Sequence, residues 1–186
     1  MNRRLLIFAV LAVVQLAAPL SLVAWREMIL NAGTQVKFLT APVDPVDALR
    51  GRYVALSMQE RFADYPQASA GGRDRRRLYV LLTRDAQGFA HVTGVSVSRP
   101  ASGLYIRARV RPYYFPARRQ VQIEWPFDRY YLNERLAPQA ERLYRQQAGR
   151  QNAYVTVRVL RGQAALEGLY VAGQPIERLL RLGGVR

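Results

Sequence analysis

The chain has 186 residues and a formal charge of +15, from 28 basic and 13 acidic side chains, with one histidine and no cysteine. Without cysteine there are no disulfides, no thiolate zinc sites and no thiol nucleophiles. With His91 as the lone imidazole, a histidine-dependent triad is excluded unless His91 itself serves, and a multi-histidine metal centre is excluded outright.

Leu5–Trp25 reads LLIFAVLAVVQLAAPLSLVAW, with Gln15 and Ser21 as its only polar side chains. A bilayer core needs roughly 20 apolar residues of helix to cross it, and this run is about that long. A cleaved secretory leader is the alternative, but its apolar region is usually ~7–15 residues. Here the small pair Ala17–Ala18 is followed at once by Pro19, and Trp25–Arg26 has the aromatic-plus-charge character of an interfacial anchor. The uncleaved anchor is preferred. Arg3 and Arg4 precede it, which predicts a cytoplasmic N-terminus and a body outside, in the bacterial periplasm. The expected organisation is an anchor over residues 1–25, a juxtamembrane linker over 26–35 and one periplasmic β-rich domain over 36–186. That is enough chain for one ordinary core.

Val36–Thr40 opens the body as a short strand. Asp44, Pro45 and Gly51 suit the cap, first turn and end of one helical turn, Pro45–Arg50, with Gly51 expected at positive φ. Arg52–Glu60 reads as one strand and Ala63–Arg76 as a loop. Leu78–Thr83 is a continuous apolar strand, and Phe89–Ser98 returns from it as a hairpin. In Leu104–Arg111 the period is two: Tyr105, Arg107, Arg109 and Arg111 face out, and Leu104, Ile106, Ala108 and Val110 face in. Val121–Trp125 alternates likewise, with Gln122 and Glu124 outward. A helix starts at Pro138, shows Ala140, Leu143 and Tyr144 on one face and ends at Gly149. Ala153–Arg161 and Ala164–Val171 form a second hairpin around Gly162–Gln163, and Ile176–Leu182 is a last short helix. The predicted fold is mainly β (α+β): a compact barrel or folded sheet of about seven or eight strands with an edge helix, behind one transmembrane helix.

The stretch PVDPVDALRGRYVALSM resembles the signature of the GDYXXLXY family, Gly-Asp-Tyr-x-x-Leu-x-Tyr. Gly51, Tyr53 and Leu56 match it, while Arg52 and Met58 stand where the family has Asp and its last Tyr. FDRYYLNE is similar to the family's Tyr-Phe-x-x-Glu element, with Tyr131 and Glu134 at the matching places, and AALEGLYVAGQPIE to its closing hairpin. The resemblance implies a membrane-anchored bacterial protein without an established activity, accompanying a multi-pass integral membrane protein. Any activity needing the acid or the phenol lost at Arg52 and Met58 is not expected.

Candidate chemistry is thin. Glu124, Asp128 and Glu134 lie beside Trp125, Tyr130 and Tyr131, the composition of a carboxylate-pair sugar hydrolase; the preferred reading is that arginines and turns occupy them. Lys37, the only lysine, and Ser57 are the sole material for a Ser–Lys dyad, and neither sits in a recognisable motif. His91 reads as a surface or structural residue. No cofactor loop and no metal cluster is expected. The arginines favour carboxylate or phosphate partners, including anionic lipid, but a solvated basic surface is preferred because they are scattered. Arg73, Arg75, Arg76 and Arg77 lack interleaved aromatics, so nucleic acid is not expected. Tyr113, Tyr114 and Phe115 form an aromatic, Pro-flanked stretch suited to a membrane or partner contact, or equally to a buried crossover. The expectation is an accessory or binding module, with a periplasmic hydrolase using Glu134 with Glu124 or Asp128 as the alternative.

Overall fold

A computed structural model describes residues 3–41, 53–64, 76–115, 118–133 and 135–183. Helix α1 spans Arg3–Ala32, and at 1.5 Å per residue it is about 45 Å long. Ile29 is its only buried residue. The helix runs through Trp25 and on through most of the segment expected as a linker, and strand β1 (Thr34–Ala41) follows after Gly33. A carbonyl–guanidinium contact fixes the joint: Arg158 Nη1 donates to the Gly33 carbonyl at 3.2 Å, while its Nε donates to Glu167 at 2.9 Å.

The body contains β2 (Tyr53–Ala55), β3 (Ser57–Met58), β4 (Phe62–Asp64), β5 (Arg76–Arg84), β6 (Ala90–Ser96), β7 (Leu104–Phe115), β8 (Arg118–Glu124) and β9 (Arg129–Tyr131). After them come α2 (Ala137–Ala148), β10 (Ala153–Leu160), β11 (Gln163–Val171), β12 (Gln174–Pro175) and α3 (Ile176–Gly183). One sheet has the order β12-β11-β10-β1-β3, and a second has the order β4-β8-β7-β5-β6. In the second sheet the two edges, β4 and β6, approach each other, giving a near-closed five-stranded barrel. Every ladder in both sheets is antiparallel. The mainly β architecture expected from the sequence is therefore the fold. It has more strands than expected because several are only two or three residues long.

Two tight turns plug one sheet into the other. The turn before β6 lies on β1, where the Lys37 N–H donates to the Gly88 carbonyl at 2.9 Å. The β10–β11 turn lies on β7, where the Arg107 N–H donates to the Gly162 carbonyl at 2.8 Å. Between the sheets, Phe38 packs against Trp125 and Phe127 with ring centroids 5.0 and 5.2 Å apart. Val54, Val80, Ile106, Val155 and Leu169 complete a core with no measurable exposure at these positions.

Several local expectations change. The strand expected over Arg52–Glu60 breaks at Leu56, whose N–H is taken by the Asp128 carbonyl at 2.8 Å; β2 then pairs with β9 and β3 with β1. Tyr105 is buried although its alternation points outward, because the Gly162 turn covers it and Arg99 Nε donates to its hydroxyl at 2.8 Å. The β10–β11 turn is Arg161–Gly162, with Leu160 opposite Gln163. Gly149 stays right-handed at φ −63°, and positive φ falls at Gln151. Tyr113, Tyr114 and Phe115 are the end of β7, paired with Gln120, Arg119 and Arg118 of β8, rather than a crossover. The helical turn at Pro45–Arg50, Gly51, Arg52, Arg73, Arg75 and Glu134 lie outside the described residues.

Candidate functional site

The segment Trp125–Asp128 carries the chain from β8 to β9. Its geometry is fixed from both sides. Trp125 Nε1 donates to the Glu60 carbonyl at 2.8 Å, its ring stacks on Phe127 at 5.4 Å, and the Asp128 carbonyl holds Leu56. Three clefts open around this fixed segment, and all three include Asp128 in their walls.

The largest, about 540 Å³, lies at the foot of α1, between Trp25, Arg26 and Ile29 on one side and the Pro126–Tyr131 and Ala164–Glu167 segments on the other. The second, about 450 Å³, shares Pro126 and Asp128 with the first and is walled by Arg77, Arg107 and Arg109 together with Glu124 and Gln163. The third, about 340 Å³, lies between Leu56–Met58 and the Arg61, Arg111 and Glu124 side chains.

The second cleft gathers like charge. Register places Arg77 of β5 directly opposite Arg109 of β7, and Tyr79 opposite Arg107. Arg107 and Arg109 alternate with buried Ile106, Ala108 and Val110, so their guanidinium groups share the outer face. Among the described residues, Glu124 pairs with Arg111, and Asp128 faces Arg129 with 3.8 Å between Oδ1 and Nε. No ion pair to Arg77, Arg107 or Arg109 forms among the described residues. Period-two alternation makes Arg107 and Arg109 legible as one row in the sequence. Arg77 joins them only through cross-strand register, so the sequence reading missed the cluster.

Of the carboxylates expected to pair, the described residues include Glu124 and Asp128. Glu124 and Asp128 do share the walls of two clefts beside Trp125. Each faces a guanidinium, Glu124 that of Arg111 and Asp128 that of Arg129, and Asp128 is 65% exposed. Glu134 cannot be placed against them. The Ser–Lys pairing does not form. Lys37 donates to the Gln87 carbonyl at 2.9 Å beside the Phe89 and Tyr154 rings. Ser57 pairs with Ala41, four positions along β1, or about 13 Å at strand rise.

His91 is bracketed. Glu60 Oε1 stands 3.1 Å from its Nδ1 and Asp85 Oδ2 stands 3.3 Å from its Nε2. The hydrogen bonds to Glu60 and then Asp85 raise its pKa above the ordinary 6.5. Asp85 is pushed up by burial, but the Phe89 N–H and His91 outweigh that and hold it below the usual carboxylate value. Both ring nitrogens thus have carboxylate partners, and the arrangement braces the β5–β6 turn against the segment before β4. Among the described residues no group of three or more His, Asp or Glu side chains is placed to hold a metal ion.

The sequence's two motif elements meet. Tyr53 of β2 lies opposite Tyr131 of β9, with ring centroids 5.9 Å apart. Arg129 lies over the Tyr53 ring at 5.1 Å. The neighbouring Tyr130 hydroxyl donates to Glu177 of α3; burial first, and this bond second, raise the phenol's pKa. The profile of the GDYXXLXY protein family matches residues 15–169 of the chain. The chain belongs to the GDYXXLXY family. No curated protein and no solved structure matches it. Within this family member, the namesake Tyr53 strand and the Tyr131 element form one small two-stranded sheet. Leu56 is locked to the Asp128 carbonyl, so the signature builds the frame of the three clefts.

Proposed function

We propose that this GDYXXLXY protein is a single-pass, membrane-anchored accessory module. Its body stands on the periplasmic face of a bacterial inner membrane and supports a multi-pass integral membrane partner. The carrying observation is α1: a 30-residue helix, apolar and exposed along its length, that continues without a break past Trp25 until Ile29 packs on the body. A leader cut near residue 25 would leave this helix severed just before its contact with β10 and β11. Arg3 and Arg4 before the apolar run support a cytoplasmic N-terminus, and a large body translocates largely regardless of its own charge. The long β7–β8 hairpin, which carries Tyr113, Tyr114 and Phe115, supplies an aromatic contact element for the partner.

The test is a pair of reporter fusions at the C-terminus combined with a photo-crosslinker at Tyr114. The reading expects active alkaline phosphatase, dark green fluorescent protein and one recurring multi-pass protein in the crosslinked product. A bright green fluorescent fusion contradicts the placement, and recovery of lipid alone contradicts the accessory role. The hydrolase alternative is weaker, because Glu124 and Asp128 both face arginines.

A further inference from the structure

Arg77 and Arg109 stand directly opposite each other, with Arg107 two residues along the same face. Like charges across a strand pair destabilise it; Glu124 lies opposite Arg109 and lines the cleft with Asp128, but these carboxylates face Arg111 and Arg129, so the remaining arginine excess is relieved by an anion brought from outside. Guanidinium groups match phosphate oxygens in fork geometry better than any other side chain does. The cleft they wall is about 450 Å³, large enough for a small headgroup, and Gln163 adds an uncharged polar side chain to its lining.

Position decides which phosphate. The arginine cleft shares Pro126 and Asp128 with the groove at the foot of α1, and that groove is bounded by Trp25 and Arg26, the residues ending the apolar run. If α1 spans the bilayer, Trp25 marks the headgroup level, where such aromatics concentrate. The Arg77–Arg107–Arg109 face then lies beside the headgroup layer, within reach of surface lipid charge that fades over about 10 Å.

We propose that the cleft walled by Arg77, Arg107 and Arg109 binds the phosphate of an anionic phospholipid from the leaflet in which α1 ends. This rests on the anchored reading above. The bound headgroup seats the body against the membrane in one orientation, because the cleft and the helix end then form two separated attachment points.

The test uses the full chain reconstituted into phosphatidylcholine vesicles doped with phosphatidylglycerol, with retained lipids counted by native mass spectrometry. The wild type should retain phosphatidylglycerol in preference to phosphatidylcholine. The triple variant Arg77→Gln, Arg107→Gln, Arg109→Gln should lose that preference by about a hundredfold, on the scale of surface arginine–lipid attraction. The equally charge-depleted Arg142→Gln, Arg145→Gln, Arg150→Gln on and just after α2 should keep it. The single Arg107→Gln variant, with about a fivefold loss, serves if the triple variant fails to fold. Equal loss in both triple variants overturns the site, since net charge alone would then explain binding. Displacement of the lipid by inorganic phosphate at equal concentration overturns it in favour of a soluble anion, and displacement by an acidic peptide overturns it in favour of a protein partner. A wild-type chain that stays in carbonate-washed vesicles without lipid preference sinks the lipid site and leaves the anchor standing. A chain that washes out sinks both.

Discussion

Single side chains hold the docked turns, and two of them give sharp expectations. His91 sits between Glu60 and Asp85, and its pKa is raised. A raised imidazole pKa stabilises the fold fully below the unfolded value of 6.5, and the contribution disappears as pH rises through the folded value. Asp85 is lowered, so its share is present above the ordinary carboxylate pKa and is lost in acid. The melting temperature of His91→Gln should therefore fall furthest below wild type between the ordinary carboxylate range and about pH 6.5, and the gap should narrow as pH rises further. A gap that is constant with pH would refute the charged bracket. Gly162 has φ +83°, and an added Cβ would come 2.7 Å from Tyr105 Cε2. Gly173 has φ +75° with nothing within 4 Å. Gly162→Ala should cost about 2 kcal/mol or more in urea unfolding and Gly173→Ala about 1, because only the first adds a clash to the strain. Equal losses would mean that the turn is not pressed onto β7. That pressure also explains Tyr105. Alternation assigns it correctly to the outer face, but no local pattern announces that a turn more than fifty residues away covers that face.

At the scale of elements, legibility follows sequence distance. The β5–β6 and β10–β11 hairpins are readable because each is two apolar strands around a short turn. α2 is readable from Ala140 and Tyr144, which share its buried face. The break at Leu56 and the three-residue β9 are not readable, because their backbone partners lie in each other. The same pairing gives the family signature a structural meaning. Tyr53 and Tyr131 are cross-strand partners, and such aromatic pairs contribute roughly 0.5–1 kcal/mol beyond their separate burial. A double-mutant cycle of Tyr53→Phe or Ala with Tyr131→Ala should return a coupling of that size for the Ala pair. Additive losses would show that the two motif elements are independent.

For the molecule as a whole, the apolar run at residues 5–25 fixes the plan more than any site does. Its composition alone predicts a spanning helix, and the structure extends that helix into a docked joint at Ile29, Gly33 and Arg158. The clefts were harder to foresee. Phe38, Trp125 and Phe127 come together from β1 and the β8–β9 segment, and the three arginines converge from β5 and β7; both convergences depend on sheet register. The described structure thus pairs a membrane-length helix with a basic cleft adjoining its foot. The most direct measurement is the intact mass of the chain in carbonate-washed membranes of a bacterial host, before and after adding protease to spheroplasts. The account predicts the full 21.2 kDa chain in the washed membrane and loss of the body on protease treatment. A soluble chain beginning beyond Trp25, or a membrane-bound body that survives the protease, would contradict it.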